Sequence, residues 1–298
     1  MNGACPTGSI IQIWVRKFPA QCSTEFSDSI LKILIYFNGE RKTMNYKGFD
    51  LTGRVAVVTG STSGMGLAIA RGLAQCGAQV VVSSHLQSDT DSAALLLASE
   101  GFDVKGIPCD ITNLDNVKNF SEESKRAFGH VDIVVCHAAG PVPVGPIAET
   151  DIDLLDSLLL TTVRNNLVLI RQFLPEMAER RYGSVLMTSS IASERASPAL
   201  GAYGAAKAAL NGVVRSIAAE WGQWNIRANA LAPSMVRTAF SQVMLSTPDA
   251  VKAMAAKSPS NRIAEPDDIV GAAILLASPA GSYISGQTLL IDGGRSII

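Results

Sequence analysis

From Arg54 onward the chain alternates short apolar runs, rich in β-branched residues, with longer stretches whose apolar positions recur at helical spacing. The run Val55-Ala56-Val57-Val58-Thr59 has no polar position before its last residue and predicts a buried strand ending at Gly60. Helical spacing follows to about Cys76, and Gly77 suits the position just past a helix end. Further strands are predicted over Val80–Val82, Val104–Ile107, Val131–Cys136, Ser184–Ser189, Ile226–Leu231 and Thr288–Ile291. Helices are predicted through Leu95-Leu96-Leu97, over Asn116–Phe128, in one long stretch ending near Arg181, and over Ala202–Trp221 and Asp267–Ala277. Wholly apolar strands separated by crossover helices predict a doubly wound α/β fold, a parallel sheet covered on both faces. No linker and no repeat interrupts the pattern, so residues 44–298 read as one domain.

Residues 1–43 read as an extension of unknown role. Its apolar run Ile30–Phe37 is short and interrupted by Lys32, far from the ~18 residues of a membrane span. Glu25 and Asp28 precede that run, which does not suit a secretory signal. Met44, followed by Asn45 to Leu51, suits a start immediately before the first strand.

Composition narrows the partners. The 298 residues are 47% hydrophobic and 17% charged, which predicts a large core. With 25 Lys plus Arg against 26 Asp plus Glu, the net charge of −1 supplies no basic field for nucleic acid or an anionic membrane. The five cysteines are scattered without a CxxC pair, as expected of reduced thiols in the cytoplasm. The three histidines stand apart from any second ligand at metal spacing, so no metal is expected.

In such a sheet, ligands bind beyond the carboxyl ends of the strands. Directly after the first strand stands Thr59-Gly60-Ser61-Thr62-Ser63-Gly64-Met65-Gly66. Glycines there permit a tight turn and close approach of backbone to a pyrophosphate, and a helix starting near Gly64 offers free N–H groups. At the end of the second strand, Ser84 and His85 occupy the place where a carboxylate would hold the ribose of NAD. With no carboxylate there, a 2′-phosphate fits, so NADP is expected, with NAD as the other possibility. Tyr203 and Lys207 are four apart on a predicted helix and share a face. A nearby ammonium and a positive nicotinamide favour phenolate, which suits Tyr203 to proton transfer. Ser190, thirteen residues earlier at a strand end, can donate to a substrate oxygen.

These residues resemble the short-chain dehydrogenase/reductase family. Thr59 to Gly66 is similar to its TGxxxGxG signature, and Ser190, Tyr203 and Lys207 match its catalytic residues. The likeness runs from about Phe49 to Arg295 and includes Cys109-Asp110-Ile111-Thr112 and Asp292-Gly293-Gly294. It implies a single Rossmann domain with a seven-stranded parallel sheet, assembled as a homotetramer or dimer. It also implies that Asp110 and Ile111 line the adenine site and that Val236 and Thr238 hold the nicotinamide carboxamide, while Lys207 also meets the ribose. The chain departs from the family in three places. Cys136-His137-Ala138-Ala139 replaces NNAG, leaving the backbone of His137, Ala138 and Ala139 to line the cofactor. Pro233-Ser234 replaces Pro-Gly. Thr162 takes the place of the fourth catalytic residue, an asparagine, with Asn165 and Asn166 a helical turn out of register.

The expected function is therefore NAD(P)-dependent interconversion of a ketone and a secondary alcohol, with a small carbonyl or alcohol as substrate. The competing expectation is a cofactor-binding sensor or scaffold with little turnover, motivated by Thr162. A serine hydrolase is excluded, because Gly60 to Gly64 reads G-S-T-S-G and lacks a central nucleophile.

Overall fold

Four-residue runs without a polar position become the centre of the sheet. In the computed structural model, which describes residues 46–140 and 142–298, β1 (Val55–Val58) and β4 (Ile133–Cys136) are buried at every position. They pair in parallel, Val57 opposite Val134, and the sheet grows outward from them. On one side lie β2 (Gln79–Val82) and β3 (Val104–Gly106), and on the other β5 (Gly183–Thr188), β6 (Ile226–Pro233) and β7 (Thr288–Ile291). The order is β3-β2-β1-β4-β5-β6-β7, parallel throughout, so the chain reverses direction of growth between β1 and β4. The extension over residues 1–43, with its apolar run Ile30–Phe37, lies outside the described residues.

Helices cover the two faces as separate core layers. Against one face pack α1 (Gly64–Gln75), α2 (Gln87–Ser99) and α9 (Asp267–Ala277), through Ile69, Leu73, Leu97, Ile269 and Leu276. Against the other pack α3 (Leu114–Phe128), α5 (Asn165–Arg171), α6 (Leu174–Arg180) and α7 (Gly201–Trp221), through Phe120, Leu169, Phe173, Met177 and Leu210. The cover stops at the last strand, where Leu289 and Leu290 are 36% and 37% exposed. Both faces are otherwise covered as expected, and β7 is the outermost strand among the described residues.

The long helix expected to end near Arg181 is several pieces. It begins as α4 (Ile152–Leu159), widens into a π-helical segment over Leu160–Arg164, and continues as α5. Asn166 donates its side-chain amide to the carbonyls of Thr161 (3.2 Å) and Thr162 (2.9 Å), which the wider turn leaves short of ordinary partners. Between Arg171 and Leu174 the helix breaks, because Pro175 has no N–H for the carbonyl four residues back and its ring would clash there. A helix absent from the sequence expectation, α8 (Pro248–Ala255), lies in the segment after β6.

Two buried polar groups fix the ends of the sheet. Asp132, 1% exposed, receives the Val55 N–H (3.2 Å), His130 Nε2 (3.0 Å) and Arg180 Nη2 (3.4 Å) at the end opposite the candidate site. Arg227, on β6, donates to the carbonyls of Leu276, Ala277, Ser278 and Gly281, placing a cation at the negative end of α9.

Candidate active site

The turn after β1 is shaped by contacts that only glycine permits. Gly60 has φ +64°, and a Cβ there would sit 2.9 Å from the Ala138 Cα. A Cβ on Gly66 would sit 2.1 Å from the Gly60 carbonyl oxygen and 2.8 Å from His137 Cδ2. The Thr59 hydroxyl ties this turn to the segment after β4, accepting from the N–H groups of His137 (3.0 Å) and Ala138 (3.1 Å). Ser61 does the same towards β2, donating to the Val58 carbonyl (2.6 Å) and accepting from Ser83 N–H (2.9 Å). Helix α1 then starts at Gly64 with Ser63 as N-cap, and the Ser63 side chain makes no capping bond. The first turn, Gly64-Met65-Gly66, thus keeps its N–H groups free of the Ser63 side chain at the positive end of a twelve-residue helix. A pyrophosphate fits this cradle.

The next strand ends supply the rest of that groove. Ser84 is partly buried and His85 exposed beyond β2, with no carboxylate at either position. Asp110 closes its own turn, accepting from the N–H (2.9 Å) and hydroxyl (2.7 Å) of Thr112, while the buried Ile111 accepts the Asn165 amide through its carbonyl (2.6 Å). Ala138 and Ala139 follow His137 along the loop after β4, and Thr238 approaches from the far side, its Cγ2 3.1 Å from where a Cβ on Gly64 would stand. Val236, 4% exposed, bridges to Ala264. Beside it the Arg237 N–H donates to the Ala264 carbonyl (2.8 Å) and the Ala264 N–H to the Met235 carbonyl (3.2 Å). The segment carrying α8 is therefore closed at its base.

Ser190 lies two residues past β5, where its hydroxyl accepts from Ala192 N–H (3.2 Å) and is near enough to the Tyr203 phenol to favour the phenolate. Tyr203 and Lys207 sit on α7, and Lys207 Nζ stands 5.7 Å from the centre of the Tyr203 ring. Lys207 is 5% exposed and donates to the Thr188 carbonyl at 2.7 Å. The Thr188 hydroxyl in turn lies 3.0 Å from His137 Nδ1. A chain thus runs from Lys207 through Thr188 to His137, and sequence reasoning had no signal for its middle member, because a backbone carbonyl has no letter.

Electrostatics here are governed by burial. It pushes Lys207 down to about 8, and it pushes His137 down to about 4 with help from the Lys207 charge. Cys136 is pushed up to about 12 by burial, so its thiol stays protonated. Burial raises the Tyr203 phenol, and the nearby Ser190 hydroxyl offsets this only in part.

Thr162 lies inside the π-helical segment, 1% exposed, with its hydroxyl lacking a partner. The asparagine pair one turn on, set aside as out of register, supports the site from behind. Asn166 holds the Thr162 carbonyl and Asn165 the Ile111 carbonyl. Two buried amides within an apolar helix face were the available signal. Among the described residues no cluster of His, Cys, Asp and Glu could hold a metal, and no helix is long and apolar enough to cross a membrane.

Comparison with known proteins places these residues in context. A family profile described as "Enoyl-(Acyl carrier protein) reductase" matches residues 60–296. Dehydrogenase/reductase SDR family member 4 of Bos taurus is 37% identical over 244 residues, covering 82% of this chain and 88% of the relative. Dehydrogenase/reductase SDR family member 2, mitochondrial, of Homo sapiens is 38% identical over 254 residues, covering 84% and 90%. Among solved structures, a putative NAD(P)-dependent gluconate 5-dehydrogenase from Beutenbergia cavernae with bound NADP superposes with TM-score 0.80 at 33% identity, covering 84% of this chain and all of that one (100%). A gluconate 5-dehydrogenase from Burkholderia cenocepacia in complex with NADP and tartrate gives TM-score 0.80 at 29% identity, covering 85% and 98%.

Proposed function

The chain belongs to the short-chain dehydrogenase/reductase family, and on that premise we propose that it interconverts a ketone and a secondary alcohol with NADP(H). The observation that carries the reading is the grouping of Ser190, whose hydroxyl acts on the Tyr203 phenol, with Tyr203 and with Lys207 behind it, at the same sheet end as the N-terminus of α1. The dinucleotide supplies the hydride, so that ketone, reduced cofactor and one proton give alcohol and oxidised cofactor. Gly60, Ser61, Ser63, Gly64, Met65 and Gly66 hold its pyrophosphate, Ser84 and His85 its adenosine ribose, and Asp110 and Ile111 its adenine. The backbone of His137, Ala138 and Ala139 lines its nicotinamide side, with Val236 and Thr238 at the carboxamide.

In the reducing direction Tyr203 gives its phenolic proton to the carbonyl oxygen while Ser190 donates a hydrogen bond to that oxygen. A phenol whose pKa is raised by burial keeps its proton at neutral pH and is ready to give it. Lys207 then steadies the phenolate by its charge. Thr162 contributes through its main chain. The reading as a sensor with little turnover has no support in the geometry, since all three groups of the proton-transfer set stand together.

The test is a panel of ketones and alcohols with each nicotinamide, followed at the reduced-cofactor absorbance band. Tyr203→Phe keeps the fold and cofactor binding and lowers turnover by roughly 10²–10⁴. Retention of more than about a tenth of wild-type turnover would overturn the role given to Tyr203. We further propose a homotetramer or dimer, on the exposed apolar residues Tyr283, Leu289 and Leu290 beside the uncovered β7 edge. The free thiols Cys76, Cys109 and Cys136 suit a reducing compartment such as the cytoplasm.

A further inference from the structure

Past the ends of β6 and β7 a cavity of about 170 Å³ opens between Ser234, helix α8 and the C-terminal turn. Its wall carries the hydroxyls of Ser234, Ser258 and Ser260 and the guanidinium of Arg295. Arg295 Nη1 donates to Ser234 Oγ (3.3 Å) and Met254 Sδ (3.6 Å), while its Nε is buried without a partner. Arg195 joins it, donating from Nη1 to the Arg295 carbonyl at 2.6 Å. Among the described residues neither of these arginines forms an ion pair, although Arg237 and Arg262 close by each have one. The acids around the cavity are engaged elsewhere. Asp268 holds Arg262 with both oxygens, and Asp292 accepts from the N–H groups of Gly294 (2.9 Å) and Ser296 (2.7 Å). Glu194, next to Arg195 in the chain, accepts the Asn211 amide at 2.9 Å.

Within the lining Arg262 and Arg295 balance Asp268 and Asp292, and Arg195, bonded to the Arg295 carbonyl just outside it, brings a further guanidinium to the rim. A recessed guanidinium with an orphan N–H, set against a second arginine, is an unfavourable arrangement until an anion completes it. Burial and the Arg195 charge weaken the hold of Arg295 on its proton, and Asp292 offsets this only in part. The guanidinium fork matches a planar carboxylate, and the serine hydroxyls can turn to donate to the same oxygens. The site also depends on Ser234, whose hydroxyl accepts from Arg295 Nη1 at the cavity wall.

We propose that this cavity binds a carboxylate, held by Arg295 with Arg195 and Ser234. Its source is either the acid end of the substrate or a free organic acid. The turn that opens with Ser190 also supplies Arg195, so one loop serves both the reacting carbonyl and an acid end. Only the assignment to the substrate rests on the oxidoreductase reading.

The test titrates the full chain, loaded with NADP, with tartrate or the uncharged threitol at constant ionic strength, by calorimetry. Tartrate binds and threitol does not, and Arg295→Met and Arg195→Met each weaken tartrate by about tenfold or more. Arg295→Lys keeps part of the affinity. Arg195 is exposed, so its variant carries the test if Arg295→Met fails to fold. Tartrate binding no tighter than threitol, or unchanged by the methionine variants, would overturn the proposal. The source is decided by comparing keto acids with their methyl esters. A preference for the acid that collapses in Arg295→Met through KM assigns the carboxylate to the substrate. A preference that is absent or unchanged, while tartrate binding is lost, assigns it to a free acid. Turnover of no ketone or alcohol would sink the oxidoreductase reading and leave the titration to decide the cavity.

Discussion

His137 sits between the glycine turn and the Thr188 hydroxyl, and that position gives its imidazole a measurable signature. Its folded-state value of about 4 lies below the ordinary 6.5 because burial and the Lys207 charge disfavour the cation. Between those two values the unfolded chain binds a proton that the folded chain refuses, so acid pulls towards unfolding. The contribution is fully present above pH 6.5, is lost as pH falls towards 4, and is level below that. Melting temperatures of wild type and His137→Asn should therefore differ most in their slope between those limits, the variant being the flatter. Parallel slopes would show that His137 is not held neutral. A second residue, Ser84, carries the proposal on cofactor choice. Ser84→Asp places a carboxylate against a 2′-phosphate, so the NADP(H) preference of the wild type should reverse towards NAD(H). Tighter NAD(H) binding by the unmodified chain, measured by calorimetry, would remove the basis for that expectation. Both positions were legible as letters, Ser84 from its place after a strand and His137 from its place in a replaced motif. The Lys207–Thr188 bond was not, since a main-chain acceptor looks the same at every residue.

Elements were readable where an apolar face repeats and misread where backbone chemistry intervenes. Asp267–Ala277 and Thr288–Ile291 stand where the pattern put them. The stretch ending near Arg181 keeps its apolar spacing through Leu174, so the pattern continues past a break that Pro175 imposes on the hydrogen bonds alone. Helix α8 is only eight residues long and its face of Ala250, Val251, Met254 and Ala255 is only partly buried, so its apolar repeat is short and weak. The π-helical segment matters most for function, because it holds Thr162 while Asn166 grips the Thr162 carbonyl. That grip comes from outside the substituted position, so the geometry does not depend on an asparagine at 162. Thr162→Asn should consequently leave kcat/KM unchanged or modestly improved, within about tenfold, equivalent to ~1.4 kcal/mol of barrier. A sharp fall would mean that the threonine belongs to a retuned substrate pocket. No turnover in either form would mean that catalysis has been lost.

For the molecule as a whole, every described strand, both core layers and all candidate site residues fall within Lys47–Ile298, a unit with its own core. Deleting residues 1–43 is expected to leave melting temperature and cofactor affinity as they are, because no described core residue is removed. A truncated chain that melts many degrees lower, or loses activity, would give the extension a packing role. The overall topology was legible because buried parallel strands leave uninterrupted apolar runs; the exposed edge at Leu289 and Leu290 was not, because an apolar run looks the same with or without a covering helix.

The bridge between Val236 and Ala264, reinforced by the Arg237 and Ala264 N–H groups, works like the neck of a drawstring bag. A flexible loop whose two ends are pinned charges little for extra length, about 0.6 kcal/mol for each doubling. Everything beyond that neck is therefore free to be longer, shorter or differently shaped while the strands below keep their register. A segment of another length or shape can in this way be exchanged there while the sheet beneath it stays as it is.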